Sequence, residues 1–299
     1  MKIKINIKTI AVFTVFALVF LVPLFVYLVR SPVLIVSDLA FVSLYGEARI
    51  RKEGRLSSLV LFRKVSLVSV ADDASDDIVR IAITDVSSAP FCVIFPLRFV
   101  RSARLYHEQN PEIPVVILEG RYGDETTYSV IDGNLSDYFI FKTDINTEFQ
   151  KAGKAAVALD MGKNGKIAVF LNPQIQTQAA NAFLQGMNSL ENQLNAFFFN
   201  NFSQFSEIPG LSCIVLAGSG VELLEKNEGI PVIFFSWIDP SLLSAETALL
   251  INDSSLAQAV EAVRKVKIGQ KEGLLQSKFV DFKRSYIDRK TLRKIYKSW

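Results

Sequence analysis

The side chains that could do covalent or metal chemistry are few and scattered. His107, in RLYHEQN, is the single histidine, and no cysteine stands near it. A metal site or a Ser-His-Asp nucleophile built on it lacks its other members. Asp72, Asp73, Asp76 and Asp77 (DDASDD) suggest calcium by composition only, because a loop of the calcium-binding pattern starting at Asp72 puts Ile83 where a bidentate glutamate belongs and Asp77 where glycine is required. Carboxylates at a helix amino terminus, favoured by the dipole, account for the cluster. Gly218, Ser219 and Gly220 precede a helical stretch and could hold an anion, but the lysine and spacing of a P-loop are missing and a strand-to-helix turn needs small residues anyway. Cys92 (PFCVIFP) and Cys213 (LSCIVLAG) sit inside apolar runs and read as buried thiols; a disulfide would require the two runs to be neighbours. No catalytic residue, metal ligand or cofactor is assigned.

What remains is binding chemistry, and its residues are placed by the elements around them. Short, continuous apolar runs at 33–37, 65–70, 91–95, 115–118 and 139–142 read as strands, and so does a second series at 167–171, 196–199, 213–216, 232–235, 248–251 and 279–282. Amphipathic stretches at 39–62, 73–84, 97–109, 147–161, 175–190, 221–226 and 255–267 read as the helices between them. Such alternation means parallel, doubly wound α/β sheets. Two sheets are expected rather than one, because a turn-rich polar stretch at 119–137 interrupts the alternation and the end of the chain supplies strand, helix and strand for two further crossings.

In such sheets ligands bind beyond the carboxyl ends of the strands. Ser37, Asp38 and Phe41 follow the first run, Pro96 and Arg98 the third, Glu119 and Arg121 the fourth. Asn172 and Gln174, then Ser219, then Trp237 and Asp239 follow runs of the second series. An aromatic platform with a carboxylate and an amide suits a polyhydroxylated or heterocyclic ligand. The expected ligand contacts are Asp38, Phe41, Arg98, Arg121, Asn172, Ser219, Trp237 and Asp239, although Asp38 could equally cap the helix after it and Trp237 could be a core residue.

Residues 10–29 (IAVFTVFALVFLVPLFVYLV) carry no charge. As a helix they would reach about 30 Å, the thickness of a bilayer's hydrocarbon core. Three lysines precede the run and Arg30 alone follows it closely, so the amino terminus is expected in the cytoplasm and the body outside it. A cleaved signal peptide is the competing reading, but Pro32 would follow the scissile bond. The formal net charge of +3 comes from residues 1–31, which hold four of the 33 basic residues and none of the 30 acids. The body is near neutral, and a nucleic-acid partner loses its main support. The basic, aromatic closing stretch KRSYIDRKTLRKIYKSW reads as a solvated helix or a contact for membrane or partner.

The order of elements and their local phrasing resemble type I periplasmic binding proteins, the superfamily that includes lactose-repressor-like effector domains. The similarity runs over about 32–288 through VLIVSD, FCVIFPL, IPVVILEG, AGKAAVALDMGKNGKIAVFLNP, IPGLSCIVLAGSGVELLEK, IPVIFFSWID and LLINDSSLAQAVEAV. The chain departs from the family where Gln178, Ala179, Asn181, Ala182 and Phe183 replace an Arg ahead of Gly-Phe, and where Ser236, Trp237, Ile238 and Asp239 replace Gly-Phe-Asp. The resemblance implies two lobes, 32–141 plus 252–276 and 142–251 plus 277–299, behind an anchor at 1–31. It also implies a non-enzymatic module that closes by hinge motion on a small polar ligand, sugar or nucleoside-like, and hands it to a permease or receptor. The departures point to an alternative: the same fold kept as an interaction module of an envelope complex.

Overall fold

Strands that are apolar on both faces need cover on both faces, and the chain provides it around two sheets. The computed structural model describes residues 15, 19, 21–39, 42, 46–71, 73–120, 137–160, 165–190, 195–205, 208–218, 220–226, 229–235, 247–252 and 254–281. The first sheet contains β1 (Val33–Asp38), β2 (Val65–Val70), β3 (Cys92–Pro96), β4 (Val115–Gly120), β5 (Phe139–Thr143) and, much later in the chain, β11 (Glu272–Leu275). Its order is β11-β5-β4-β3-β1-β2, parallel throughout. The second contains β6 (Lys166–Leu171), β7 (Asn195–Phe199), β8 (Leu211–Ala217), β9 (Val232–Phe235), β10 (Thr247–Asn252) and β12 (Lys278–Asp281), in the order β12-β10-β9-β8-β6-β7. In each sheet the chain starts one strand in from an edge, moves out to that edge, then returns to the other side of its starting strand. The order therefore reverses between β1 and β3 and again between β6 and β8.

Seven helices are described: α1 (Val22–Val29), α2 (Glu47–Leu61), α3 (Asp76–Val86), α4 (Val100–Gln109), α5 (Ile145–Asp160), α6 (Gln176–Asn188) and α7 (Ser255–Lys267). Successive residues of one strand serve opposite cores. Leu34 and Val36 join Val79, Ile83, Ala103 and Tyr106 from α3 and α4. Val33 and Ile35 join Leu61 of α2 and Leu256, Ala259 and Val263 of α7. Each such fully buried Leu, Ile or Val contributes about 1.5–3 kcal/mol. In the second sheet Ile167, Val169 and Leu171 pack under α5 and α6. On its other face the described cover is a two-turn 3-10 segment, Val221–Lys226, and an aromatic cluster. There Phe170, Phe199, Phe202 and Phe205 sit with ring centroids 5.2, 5.5, 5.7 and 6.1 Å apart.

Several expectations are corrected. β11 was not expected at all: EGLL is four residues long and contains a glycine. The sheets are not wholly parallel either, because β12 runs antiparallel to β10, with Lys278 opposite Asn252 and Asp281 opposite Leu249. The cause is where the chain crosses. β5 and β11 run parallel and both leave the first sheet at its carboxyl edge, and β10 leaves the second at the same kind of edge. A strand two residues beyond β11 therefore enters the second sheet at that edge and must run backwards. Helices expected to begin at Leu97 and Ile175 open with 3-10 turns, Leu97–Phe99 and Pro173–Ile175, before α4 and α6. Of the DDASDD carboxylates, Asp76 and Asp77 lie in the first turn of α3 and Asp72 lies outside the described residues.

The three crossings gather the polar groups that the cores exclude. Thr143, Glu148, Lys151, Asn252, Gln258 and Ser277 are all buried there. Gln258 Nε2 donates to Thr143 Oγ1 at 3.2 Å, Lys151 Nζ to Gln276 Oε1 at 3.2 Å, and the Gln276 N–H to Glu261 Oε2 at 3.1 Å. The Asp144 N–H donates to the Leu275 carbonyl at 2.9 Å, tying two of the crossings together. Burial lowers the Lys151 pKa, and the carboxylates of Glu148, Asp144 and Glu261 pull it back up.

The first half of the apolar amino-terminal run falls largely outside the described residues. The run's last turns, α1, bury none of their residues, and Leu28 is 70% exposed. Among the described residues no helix is long and apolar enough to cross a membrane. The helix ends beside the turn after α2: Tyr27 lies 5.9 Å from the Phe62 ring, and Arg63 Nη1 donates to the Ser31 carbonyl at 2.9 Å.

Candidate functional site

A doubly wound sheet opens a crevice at the carboxyl end of its strands where the order reverses, because the loops there diverge to opposite faces. In the first sheet that point lies between β1 and β3. β1 ends on Asp38, which is 7% exposed, and β3 ends on Pro96, whose fixed φ turns the chain into the 3-10 segment carrying Arg98. The Arg98 Nη2 and Asp38 Oδ2 atoms form an ion pair across the reversal point. The Arg98 guanidinium also stacks 4.7 Å over the Phe99 ring while its side chain stays 44% exposed. A buried carboxylate thus holds a planar cation whose outer edge faces solvent. Such a fork is suited to a ligand carboxylate, phosphate or pair of hydroxyls.

In the second sheet the reversal lies between β6 and β8. Leu171 and Ala217 are register partners, so the next residues, Asn172 and Gly218, stand side by side at the strand ends. Asn172 is partly buried, and its carbonyl accepts the Ile175 N–H at 3.2 Å, starting the turn into α6. Gly218 is required by this approach: a Cβ there would lie 2.4 Å from the Leu171 carbonyl carbon and 2.5 Å from the Asn172 nitrogen. Gly220 adds a φ of +95° and a Cβ position 2.4 Å from the Phe170 ring. The glycines that could have cradled an anion thus have packing reasons to be there. Gly218→Ala is expected to push β8 from β6, lowering stability by about 2 kcal/mol and displacing Asn172. Urea unfolding checks the first effect and ligand titration the second.

Asp38, Arg98 and Asn172 therefore stand at the two reversal points. Phe41, Arg121, Ser219, Trp237 and Asp239 lie outside the described residues. Two polar residues at the same edge of the second sheet were missed by sequence reasoning. Asn200, just past β7, donates through Nδ2 to Gln176 Oε1 at the start of α6 at 2.8 Å. The signal for Asn200 was present in NAFFFN, a polar residue directly after an apolar run. Elsewhere, Asp76 Oδ1 accepts the Ser102 hydroxyl at 2.6 Å, and the His107 ring packs 4.8 Å from Tyr138. Among the described residues no group of three His, Cys, Asp or Glu side chains is arranged to hold a metal. A groove of about 180 Å³ along β5 and β11, lined by Ile140, Lys142 and Glu272, lies away from the reversal points.

No known protein family and no curated protein matches this sequence. Solved structures do match its backbone. An ABC transporter system solute-binding protein from Conexibacter woesei aligns with a TM-score of 0.58 at 10% identity, over 90% of this chain and 94% of that one. A transcriptional activator of the comK gene from Bacillus halodurans aligns with a TM-score of 0.56 at 16% identity, over 89% and 95%. With two doubly wound sheets, three crossings and these structural neighbours, the chain has the type I periplasmic binding protein fold.

Proposed function

We propose that this protein is a membrane-anchored, extracytoplasmic solute-binding module. Its lobes, built on the two sheets as 32–141 plus 252–276 and 142–251 plus 277–299, close on a small polar ligand of the sugar or nucleoside kind and deliver it to a permease or receptor. The observation that carries this reading is the Asp38–Arg98 pair, a solvent-facing cation fixed by a buried carboxylate at the reversal point of the first sheet, with Asn172 at the matching point of the second. Trp237, Asp239, Ser219, Phe41 and Arg121 are proposed to complete the contacts. The crossings suit a hinge: hydrogen bonds among Thr143, Lys151, Gln258 and Gln276 can exchange partners during reorientation without exposing apolar core.

Anchoring through residues 10–29 fits the same geometry. α1 leaves the body at the amino edge of the first sheet, beside Phe62, so a bilayer there would face away from the site edge. The module is read as non-enzymatic, with the groups at the reversal points serving as donors and acceptors to a bound solute.

Titration calorimetry of the full chain in detergent against sugar and nucleoside panels tests the proposal. A ligand should be found, and Arg98→Met should weaken it by a factor of about 10–100, the worth of a hydrogen bond to a charged group. Absent heats across the panels from a folded protein would overturn the solute-binding reading in favour of an interaction module.

A further inference from the structure

The amino edge of the first sheet, opposite the candidate site, carries a feature that solute binding does not use. On one face of that sheet two helices end there, α2 before β2 and α7 before β11, and α1 joins β1 there. Their ends expose large apolar side chains: Leu59 is 72% and Ile268 76% exposed, with Val60 and Phe62 beside Leu59. Around them stand Arg30, Arg63, Arg264 and Lys267. Arg30 stacks 5.3 Å over Phe62, and Arg63 stacks 4.2 Å over Phe91 while bonded to the Ser31 carbonyl. Arg264 and Lys267 belong to the last turn of α7. Among the described residues none of the four shares a salt bridge with a carboxylate. They also crowd one another: the Lys267 pKa is lowered by burial and then by Arg63, Arg30 and Arg264.

A ring of unneutralised cations around exposed apolar side chains is unfavourable in water, and it matches one environment well. At a bilayer surface the apolar groups enter the acyl boundary and the cations meet headgroup phosphates. We propose that this edge is a docking face for the anionic headgroup layer of the membrane, seating the first lobe upright on the bilayer that holds α1. The proposal rests on the anchored reading above. Continuity singles out this occupant, because Arg30 is the residue at which the apolar helix ends and the ring begins.

The test uses the full chain in lipid nanodiscs, carrying Ile268→Cys labelled with an environment-sensitive fluorophore; Cys92 and Cys213 are buried and will not take the label. In discs containing phosphatidylglycerol the emission should shift to the blue, and added salt should reverse the shift. In discs of phosphatidylcholine alone the emission should stay solvent-like. Adding Arg264→Gln and Lys267→Gln should lower the docked-to-undocked ratio more than tenfold, at roughly fivefold per charge. Emission that is the same in both lipids, from chains that co-elute with the discs, would overturn the docking face and leave the anchor standing. Chains that enter neither kind of disc would overturn the anchored reading, and this inference with it.

Discussion

Alanine at Gly186, and separately at Gly153, is expected to cost the fold about 3 kcal/mol. The two glycines mark where α5 and α6 cross. A Cβ on Gly186 would lie 2.1 Å from the Gln150 carbonyl oxygen, and one on Gly153 would lie 2.2 Å from the Phe183 carbonyl oxygen. Both obstacles are backbone atoms of a helix, which cannot turn aside as a side chain can. The helices would have to part, yet both are held down by a shared core in which Ala152, Ala155, Ala156, Ala179 and Ala182 line the seam and Phe183 and Met187 fill it. Alanine's better helix propensity returns about 1 kcal/mol at each site and does not offset a clash of this depth. Once one substitution has parted the helices the second meets less resistance, so the double variant should lose less than the sum of the singles. Urea unfolding of the three variants measures both effects. A single variant as stable as its parent would mean that the helices do not approach this closely. A functional consequence follows because α5 carries Glu148 and Lys151 into the crossings. Tilting α5 should disturb the polar contacts on which lobe closure is proposed to turn.

The fold was legible wherever burial is complete. Runs such as VLIVS, FCVIF and IAVFL are strands because nothing polar interrupts them, and full cover on both faces is the only setting that suits them. Legibility fails at β11, an edge strand without the apolar run that β2 and β7 keep at their edges. β11 has exposed residues and a glycine at φ +154°, so EGLL carries no periodic signal. The direction of β12 is absent from its residues and is imposed by the edge at which the chain crosses. For the candidate site, a rule about strand ends pointed to Asp38, Arg98 and Asn172 without any motif, and the structure places them at the two reversal points. Their relationships were beyond that rule: Asp38 pairs with a guanidinium from a turn one strand away in the sheet, a contact made by the β1–β3 register and by no local pattern. Gly218 and Gly220 read as the small residues a strand-to-helix turn needs, and the nearness of Leu171 and Phe170 gives that need its atoms.

Raising the pH from 8 to 10 is expected to remove about 3 kcal/mol of stability through two thiols alone. Cys92 and Cys213 are buried on the central strands β3 and β8, and burial holds both in the neutral form: Cys92 is pushed up to about 12 and Cys213 also rises, with the nearby Asp160 carboxylate adding to the effect of burial. In the unfolded chain both ionise around the ordinary value of 9.0. Above that value the unfolded state binds fewer protons than the folded one, so stability present in full below pH 9 is lost as pH rises towards the folded pKa. At pH 10 each thiol accounts for roughly 1–2 kcal/mol. Tyr106, raised by burial from 10.0 to about 12, extends the loss beyond pH 10. Lys151 and Lys267 act in the opposite sense, because their lowered pKa makes the folded state the better proton releaser below 10.5 and adds stability as pH approaches that value. The thiol share is therefore read by difference. Urea unfolding under reducing conditions at pH 8 and 10 should show the parent losing about 3 kcal/mol more over that interval than a Cys92→Ala, Cys213→Ala double variant. The double variant begins less stable, because each alanine leaves a small void, but only its pH slope enters the comparison. Equal slopes in parent and variant would mean that water reaches the thiols, and that β3 and β8 are not the dry centres of their sheets.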